Sequence, residues 1–257
     1  MEKSIYLEQW RSQVASFYEQ ITTDLLQQRS YTLASVNYVD LVTGLARPAQ
    51  LHFAASIFSL PLRSDFNPEG IYDEDDLYRI MQSHYQAVFN DSDIVTKGKL
   101  HETLYESLRR IQACLESTVQ SIGKSGLVAD VVDRLHKHQT LTDYGVQVMQ
   151  RLLHMKGSLD VDTIVAKHTI TPAAALITQQ SQTSVECLDY YLSEEGGSIH
   201  LPEIYRLAYM DTAEADEKLE RYFLEGSRLA CSLSLSRKVD FAQNIMDKGE
   251  SMELIPG

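Results

Sequence analysis

A run of carboxamide side chains follows an apolar segment in the stretch "TPAAALITQQSQTSVECLDYYL". Residues 172–178 are small or apolar on every side, and a helix without a polar face is usually buried. Gln179, Gln180 and Gln182 come directly afterwards, and buried amides must find hydrogen-bond partners. Amides do not take up protons near neutral pH, but they orient a bound molecule and stabilise charge on its carbonyl oxygen. These three residues are therefore the candidate catalytic residues.

Residues three or four positions apart share one side of a helix, so the amides have predictable neighbours. Ala175, Gln179 and Gln182 form one such stripe. His168 extends the stripe backwards, and Thr178 ends the apolar segment beside it. Two interpretations are open: the amides bond to loops and water, or they line a cavity. In the second case His168, Ala175 and Thr178 are substrate-binding residues.

Histidine and tyrosine residues elsewhere provide two more candidates for a cavity wall. His52 and Tyr85 lie in apolar or aromatic surroundings, where such residues are most often satisfied core residues. The alternative is that they give an apolar substrate pocket its hydrogen-bonding groups. His136 and His138 are two positions apart and point to different sides of a helix, so no metal site is expected.

Apolar residues recur every three to four positions along most of the chain, which predicts a mainly α fold. Asp40 and Asp73 are expected to begin helices, and Pro172 to begin or kink one. We expect residues 172–192 to form a mostly buried helix near the middle of the domain. The tail "NIMDKGESMELI" predicts a hairpin, with β structure largely confined to residues 231–257.

Composition excludes several classes of protein. The net charge of −13 disfavours a nucleic-acid-binding protein, because phosphate binding requires a basic face. No apolar run approaches the roughly 18 residues of a membrane span, and the N-terminus has no apolar core of a secretory signal. Cys114, Cys187 and Cys231 are scattered rather than arranged as a disulfide framework, which favours a reduced, cytoplasmic location.

Three long stretches resemble one known family: "AQLHFAASIFSLPLRSDFNPEGIYDEDDLYRIM", "TPAAALITQQSQTSVECLDYYL" and "DTAEADEKLERYFLEGSRL". Over roughly residues 15–257 the chain resembles the C-terminal, cytochrome P-450-like domain of the fungal psi-factor-producing oxygenases and linoleate diol synthases. The resemblance implies that residues 168–192 correspond to the central I helix of that fold. It also implies that Glu225 and Arg228 correspond to the Glu-x-x-Arg motif of the K helix.

The resemblance also bears on the candidate site. The family carries an Asn-Gln amide pair on its I helix that rearranges fatty-acid hydroperoxides. The matching positions here are Gln179 and Gln180, so glutamine replaces asparagine. The family continues past the K helix to a glycine-rich loop with the haem-ligating cysteine, whereas this chain ends at "MELIPG" and Cys231 has no glycine-rich surroundings. We therefore expect residues 1–257 to be a single, truncated cytochrome P-450-like helical domain with a small C-terminal β hairpin, lacking the haem-binding loop.

The favoured hypothesis is a haem-free, cofactor-independent cyclase or isomerase. It would carry out a Diels–Alder-type pericyclic step on a hydrophobic terpenoid or polyketide intermediate of fungal specialised metabolism. One alternative is a fragment of a haem-dependent fatty-acid hydroperoxide isomerase of the diol synthase type, and another is a non-catalytic lipid-binding protein. All three have a hydrophobic small molecule as partner. A homodimer would cover the surface that a missing haem loop leaves exposed.

Overall fold

The structure is a computed structural model in which helices dominate and two short β hairpins accompany them. The predicted mainly α fold with a small C-terminal hairpin is confirmed. The residues that the structure describes are 11–64, 67–90, 94–124, 141, 145–146, 148–149, 152–153, 160–193, 197–230, 243–247 and 250–254.

The N-terminal half contains four helices and one hairpin. In chain order these are α1 (Arg11–Arg29), β1 (Tyr31–Leu33), β2 (Val36–Tyr38), a π-helical turn (Leu41–Ala46) that continues into α2 (Arg47–Phe58), α3 (Glu74–Tyr85) with a π-helical extension (Gln86–Asn90), and α4 (Ile94–Lys124). As predicted, Asp40 and Asp73 are N-caps: the Asp40 carboxylate accepts from the backbone of Val42 and Thr43, and that of Asp73 accepts from Asp76.

The C-terminal half is built around one long helix, residues 161–192, which we call the central helix. Its segments are α5 (Val161–Val165), a π turn (Ala166–Ile170), α6 (Thr171–Ala175), a second π turn (Leu176–Gln180) and α7 (Ser181–Leu192). The remaining elements are a 3₁₀ turn (Ser198–His200), α8 (Leu201–Ala208), α9 (Ala213–Ala230), β3 (Gln243–Asp247) and β4 (Glu250–Leu254).

Pro172 lies inside the central helix and does not begin it, so the first of the two expectations for this residue is wrong and the second, a kink, stays a prediction. The backbone stays right-handed helical from one segment to the next, and the preceding turn is the wider π type. Two threonine hydroxyls donate hydrogen bonds to carbonyl oxygens of this region: Thr169 donates to Ile164 O at 3.0 Å, and Thr171 donates to Ala166 O at 2.9 Å. The helix continues past Pro172, which lacks a backbone donor, directly after this wider turn.

The central helix is buried along its first half only. Ala173, Ala174 and Ile177 have no exposed surface and belong to the hydrophobic core with residues of α2, α3 and α4. In α7 the buried side chains are Ser181, Cys187 and Tyr191, while its outer face is exposed. The prediction of a mostly buried helix over residues 172–192 is therefore right for the first half and wrong for the second.

The β1–β2 hairpin was not predicted. Its turn residues Ala34 and Ser35 have φ of 48° and 65°, a conformation usually supplied by Asn-Gly, so the sequence carries no turn signal. Tyr31 and Tyr38 are paired across the strands with ring centroids 5.7 Å apart. Both strands are exposed on both faces, so they also lack the apolar alternation that marks a strand.

Gly145 lies in a short helical segment and packs directly against the backbone of α2. A substitution at Gly145 therefore tests this packing. A Cβ at this position would lie 2.4 Å from the carbonyl oxygen of Ile57. We expect Gly145→Ala to destabilise the chain by about 1–3 kcal/mol, because backbone atoms cannot move aside easily. The measurement is urea unfolding followed by circular dichroism.

Gly98→Ala in α4 is the matched control, since a Cβ there meets no atom within 4 Å. This variant should be more stable than wild type by about 0.5–1 kcal/mol, because alanine favours the helix. Equal stabilities of the two variants would contradict the close contact at Gly145.

Candidate functional site

A cavity of about 180 Å³ lies where the central helix meets α3 and the start of α2. We call it the Thr178 cavity. Valines line part of its wall, and the rest of the lining is polar: Arg47, Tyr78, Gln82, Thr178, Ser181, Gln182 and Glu186. Tyr78 and Gln82 are one turn apart on α3, and Thr178 and Gln182 are four apart on the central helix. The helical spacing therefore brings two pairs of side chains into one small space.

Arg47 supplies the positive charge of the Thr178 cavity. Its guanidinium carbon lies 4.8 Å from the ring centroid of Tyr78, which is a cation–π distance. Among the residues that the structure describes, no carboxylate lies within ion-pair distance of Arg47. Burial raises the pKa of Tyr78 although Arg47 opposes the shift, so the phenol stays neutral beside the guanidinium.

Thr178 carries a buried hydroxyl whose hydrogen-bonding capacity is unused. The residue is 6% exposed, and its Oγ1 has no hydrogen-bond partner among the described residues. A buried polar atom without a partner costs about 1–3 kcal/mol, so such atoms usually serve a ligand or water. Thr169, which is also buried on the same helix, does have a partner, since it donates to Ile164 O.

The three predicted catalytic glutamines are not brought together. Gln182 lines the Thr178 cavity, and its Nε2 donates to Glu186 Oε1 at 2.8 Å. Gln179 is half-buried, Gln180 is exposed, and neither lines this cavity. The second π turn explains the difference: it takes more residues than an α turn, so the stripe expected for an α-helix is displaced. The catalytic role of the glutamines stays a prediction.

The predicted substrate-binding residues are distributed between this cavity and the core. Thr178 lines the cavity, whereas His168 and Ala175 are half-buried elsewhere on the central helix. Tyr85 is 3% exposed and packs on Phe89, with ring centroids 5.0 Å apart. Arg47, which sequence reasoning missed, has no sequence signal beyond its position before Pro48.

His52 belongs to an ionic network that joins three helices. Its Nε2 lies 2.8 Å from Glu74 Oε1, and the same carboxylate is paired with Arg29, so α1, α2 and α3 are connected. Burial on its own would raise the pKa of Glu74. The hydrogen bonds and charges of His52 and Arg29 outweigh burial and hold that pKa below the usual value.

A second cavity, of about 510 Å³, is an open cleft between α7, α8 and α9. Aromatic residues form its floor, with the rings of Tyr191 and Tyr222 6.0 Å apart and His200 near both. Its charged residues are each paired within their own helix. Glu225, for example, pairs with Arg228 at 2.6 Å, and both partners are more than half exposed. The Glu-x-x-Arg motif is therefore a surface ion pair in the described part of the chain.

The thiols that the structure describes do not fit a haem ligand. Cys187 is buried and its Sγ lies 3.7 Å from the carbonyl oxygen of Phe223, in a contact so close that a Cβ on Gly226 would be 2.7 Å from the sulfur. Burial raises the pKa of Cys187 and of Cys114, which disfavours the thiolate that ligates haem iron. Cys231 lies outside the described residues.

No helix in the described part of the chain is sufficiently long and apolar to cross a bilayer. The same residues contain no group of three or more metal-ligating side chains.

Comparison with known proteins identifies fungal relatives along the whole chain. Psi-producing oxygenase A of Emericella nidulans is 42% identical over 257 residues, which is 100% of this chain and 24% of that protein. Linoleate 10R-lipoxygenase of Aspergillus fumigatus is 31% identical over 100% of the chain and 23% of that protein. Linoleate diol synthase of Gaeumannomyces graminis is 30% identical over 93% of the chain and 25% of that protein.

No profile of a known protein family matches the chain, and no solved structure does. The chain spans about a quarter of the length of the curated relatives that it matches. These matches define the class, since the chain is similar throughout to part of a fungal oxygenase. More particularly, it is similar to part of the psi-producing oxygenases and linoleate diol synthases. The resemblance seen in the sequence is confirmed.

The hypothesis of a haem-free terpenoid or polyketide cyclase is wrong. The relatives that match the chain are an oxygenase, a lipoxygenase and a diol synthase, which favours the fatty-acid alternative instead. The cyclase hypothesis depended on where the chain ends. Because the relatives are about four times longer, the ends of this chain carry no information about haem.

The unused hydroxyl of Thr178 leads to a prediction about stability. Thr178→Val should raise the free energy of unfolding by about 1 kcal/mol, because it removes a buried hydroxyl without a protein partner. Thr169→Val should lower it by a similar amount, since that hydroxyl has a partner at Ile164. Both are β-branched exchanges on one helix, so chemical denaturation compares them directly. An equal loss of unfolding free energy in both variants would show that the Thr178 hydroxyl has a hydrogen-bond partner.

The lowered pKa of Glu74 predicts a pH dependence. Folding favours the charged form of the Glu74 side chain, so this carboxylate contributes to the free energy of unfolding. The contribution is fully present above the unfolded pKa of about 4.3, and it is lost as the pH falls through the lower pKa of the folded state. The difference in unfolding free energy between wild type and Glu74→Gln should therefore be largest above about pH 5 and shrink towards pH 3.

Glu19→Gln on the exposed side of α1 is the control for this pH series. Its difference from wild type should stay small and nearly constant across the same range, because a surface charge contributes little. A pH-independent effect of Glu74→Gln would mean that the network does not depend on the carboxylate charge.

Proposed function

We propose that the chain is part of a fatty-acid oxygenase of the psi-producing type. We further propose that its helices help to bind an unsaturated fatty acid or the hydroperoxide made from it. The observation that carries the proposal is 42% identity to psi-producing oxygenase A over all 257 residues. Relatives named for linoleate support an 18-carbon unsaturated acid as the substrate class.

The architecture that we propose is a single cytochrome P-450-like helical domain over residues 1–257. In this arrangement the central helix takes the place of the I helix, and α9 with its Glu-x-x-Arg pair takes that of the K helix. The packing of these two helices supports the proposal. Tyr191 donates to the carbonyl oxygen of Tyr222 at 2.6 Å, and Gly226 lets α9 approach Tyr191 and Cys187 closely.

The chemistry assigned to these residues is binding and orientation. The described thiols do not fit a haem ligand, so no redox step is derived from them. Isomerising a hydroperoxide to a diol moves one oxygen atom within the substrate and needs no external oxidant. Amides and hydroxyls that hold the substrate in one geometry contribute to such a step. Gln179, Gln180 and Gln182 remain candidates for this role, as does Thr178.

The proposal also includes the cellular location and the oligomeric state of the protein. A cytoplasmic location is supported by Cys114 and Cys187, which are free thiols in the described part of the chain. A homodimer is supported by the exposed apolar side chains of α7–α9, among them Leu192, Tyr205 and Leu224.

A binding measurement tests the proposed function. The purified chain is titrated with linoleic acid and with a linoleic acid hydroperoxide, and equilibrium dialysis measures the bound fraction. We expect saturable binding of both ligands in the micromolar range, typical of a partly enclosed apolar site. Farnesol, an apolar terpenoid alcohol, is the control and should bind at least ten times more weakly. No saturable binding of either fatty acid, or equal binding of farnesol, would overturn the proposal.

A further inference from the structure

Among the described residues, the Thr178 cavity combines a cation without an ion-pair partner and a buried hydroxyl without a hydrogen-bond partner. Arg47 forms no ion pair with the described carboxylates, and Thr178 Oγ1 forms no hydrogen bond with the described residues. The two residues come from distant parts of the sequence and line the same space. A guanidinium and a hydroxyl are both donors, and together they suit an anionic oxygen ligand.

Three of the acidic residues near Arg47 have other hydrogen-bond or ion-pair partners. Glu74 shares an adjoining cavity of about 50 Å³ with Arg47, but its carboxylate is bound by Arg29 and His52. Asp40 accepts two backbone hydrogen bonds as an N-cap. Glu186, the carboxylate that lines the Thr178 cavity, accepts from Gln182. Glu186 lines the same cavity as Arg47 and Asp75 lines the adjoining one, but no ion pair joins Arg47 to a described carboxylate.

The size of the cavity restricts what it holds. Pockets that enclose a whole drug-sized ligand measure roughly 300–1,000 Å³. At about 180 Å³ the Thr178 cavity has room for one end of a long-chain lipid and not for its full length. Its apolar lining, Val42 and Val185, suits the first methylene groups next to a polar head.

We propose that the Thr178 cavity is the subsite for the carboxylate end of the fatty-acid substrate, with Arg47 as the charged partner and Thr178 as a second donor. This inference rests on the proposed function, because it takes a fatty acid as the ligand. Arginine binds carboxylates through two parallel hydrogen bonds, which fixes the direction in which the chain of the ligand leaves the site. A hydroperoxide group is neutral and gains less from the guanidinium, so Arg47 favours the carboxylate end of the ligand.

The experiment compares linoleic acid with its methyl ester, which has the same chain and no charge. Wild-type protein should bind the acid at least tenfold more tightly than the ester. Arg47→Gln should weaken binding of the acid by roughly 10- to 100-fold, as expected for a hydrogen bond to a charged group. Its affinity for the ester should change by less than about twofold, so the preference for the acid disappears.

Two further variants make the result specific. Arg79→Gln removes the same charge from the exposed face of α3, where Arg79 pairs with Asp76 at 3.7 Å, and should leave both affinities unchanged. Arg47→Lys retains the charge without the planar fork and should show an intermediate loss. Should Arg47→Gln fail to fold, the lysine variant and the acid-to-ester ratio of wild type decide the question.

The outcomes separate this inference from the proposed function. Equal binding of acid and ester by wild type, or an unchanged acid affinity in Arg47→Gln, would overturn the carboxylate subsite and leave fatty-acid binding intact. An equal loss for acid and ester would likewise count against it, because it would show a structural effect of Arg47. Failure of wild type to bind either ligand would overturn both proposals.

Discussion

Burial of the first half of the central helix is the constraint on which the other elements depend. The fully buried Ala173, Ala174 and Ile177 require α2, α3 and α4 to cover them. That packing places Tyr78 and Gln82 of α3 beside the central helix, and it places Arg47, the first residue of α2, in the same region. The Thr178 cavity lies at the edge of this packed region, where the buried alanines give way to polar residues. The position of the cavity is therefore a consequence of where the apolar segment ends.

Polar interactions give the packed helices their relative placement. Apolar contacts are not directional, whereas a partly buried ion pair with hydrogen bonds favours one arrangement of the helices that carry it. Glu74 binds His52 and Arg29 and so connects α3 to α2 and α1 at one point. On the other side of the molecule, the hydroxyl of Tyr191 binds the carbonyl oxygen of Tyr222 and connects α7 to α9.

Local sequence signals predicted much of the fold. Asp40 and Asp73 precede apolar periodicity and are N-caps as expected, and strands β3 and β4 pair as the sequence of the tail predicted. The β1–β2 hairpin escaped prediction because Ala34 and Ser35 are ordinary residues in an unusual backbone conformation. The π turns escaped it because they arise from backbone hydrogen bonding, which side-chain patterns do not reveal. Among the site residues, Thr178 was named beforehand, and Arg47 was missed because three-dimensional packing alone gives it a role.

The two π turns of the central helix decide which way its later side chains face. Each wide turn holds more residues than an α turn, so the residues that follow it are rotated around the helix axis relative to an unbroken α-helix. The direction in which Gln182 and Glu186 face therefore depends on backbone geometry several residues earlier in the chain. A designer who wished to re-aim these side chains would change the turns and leave the surrounding helices as they are.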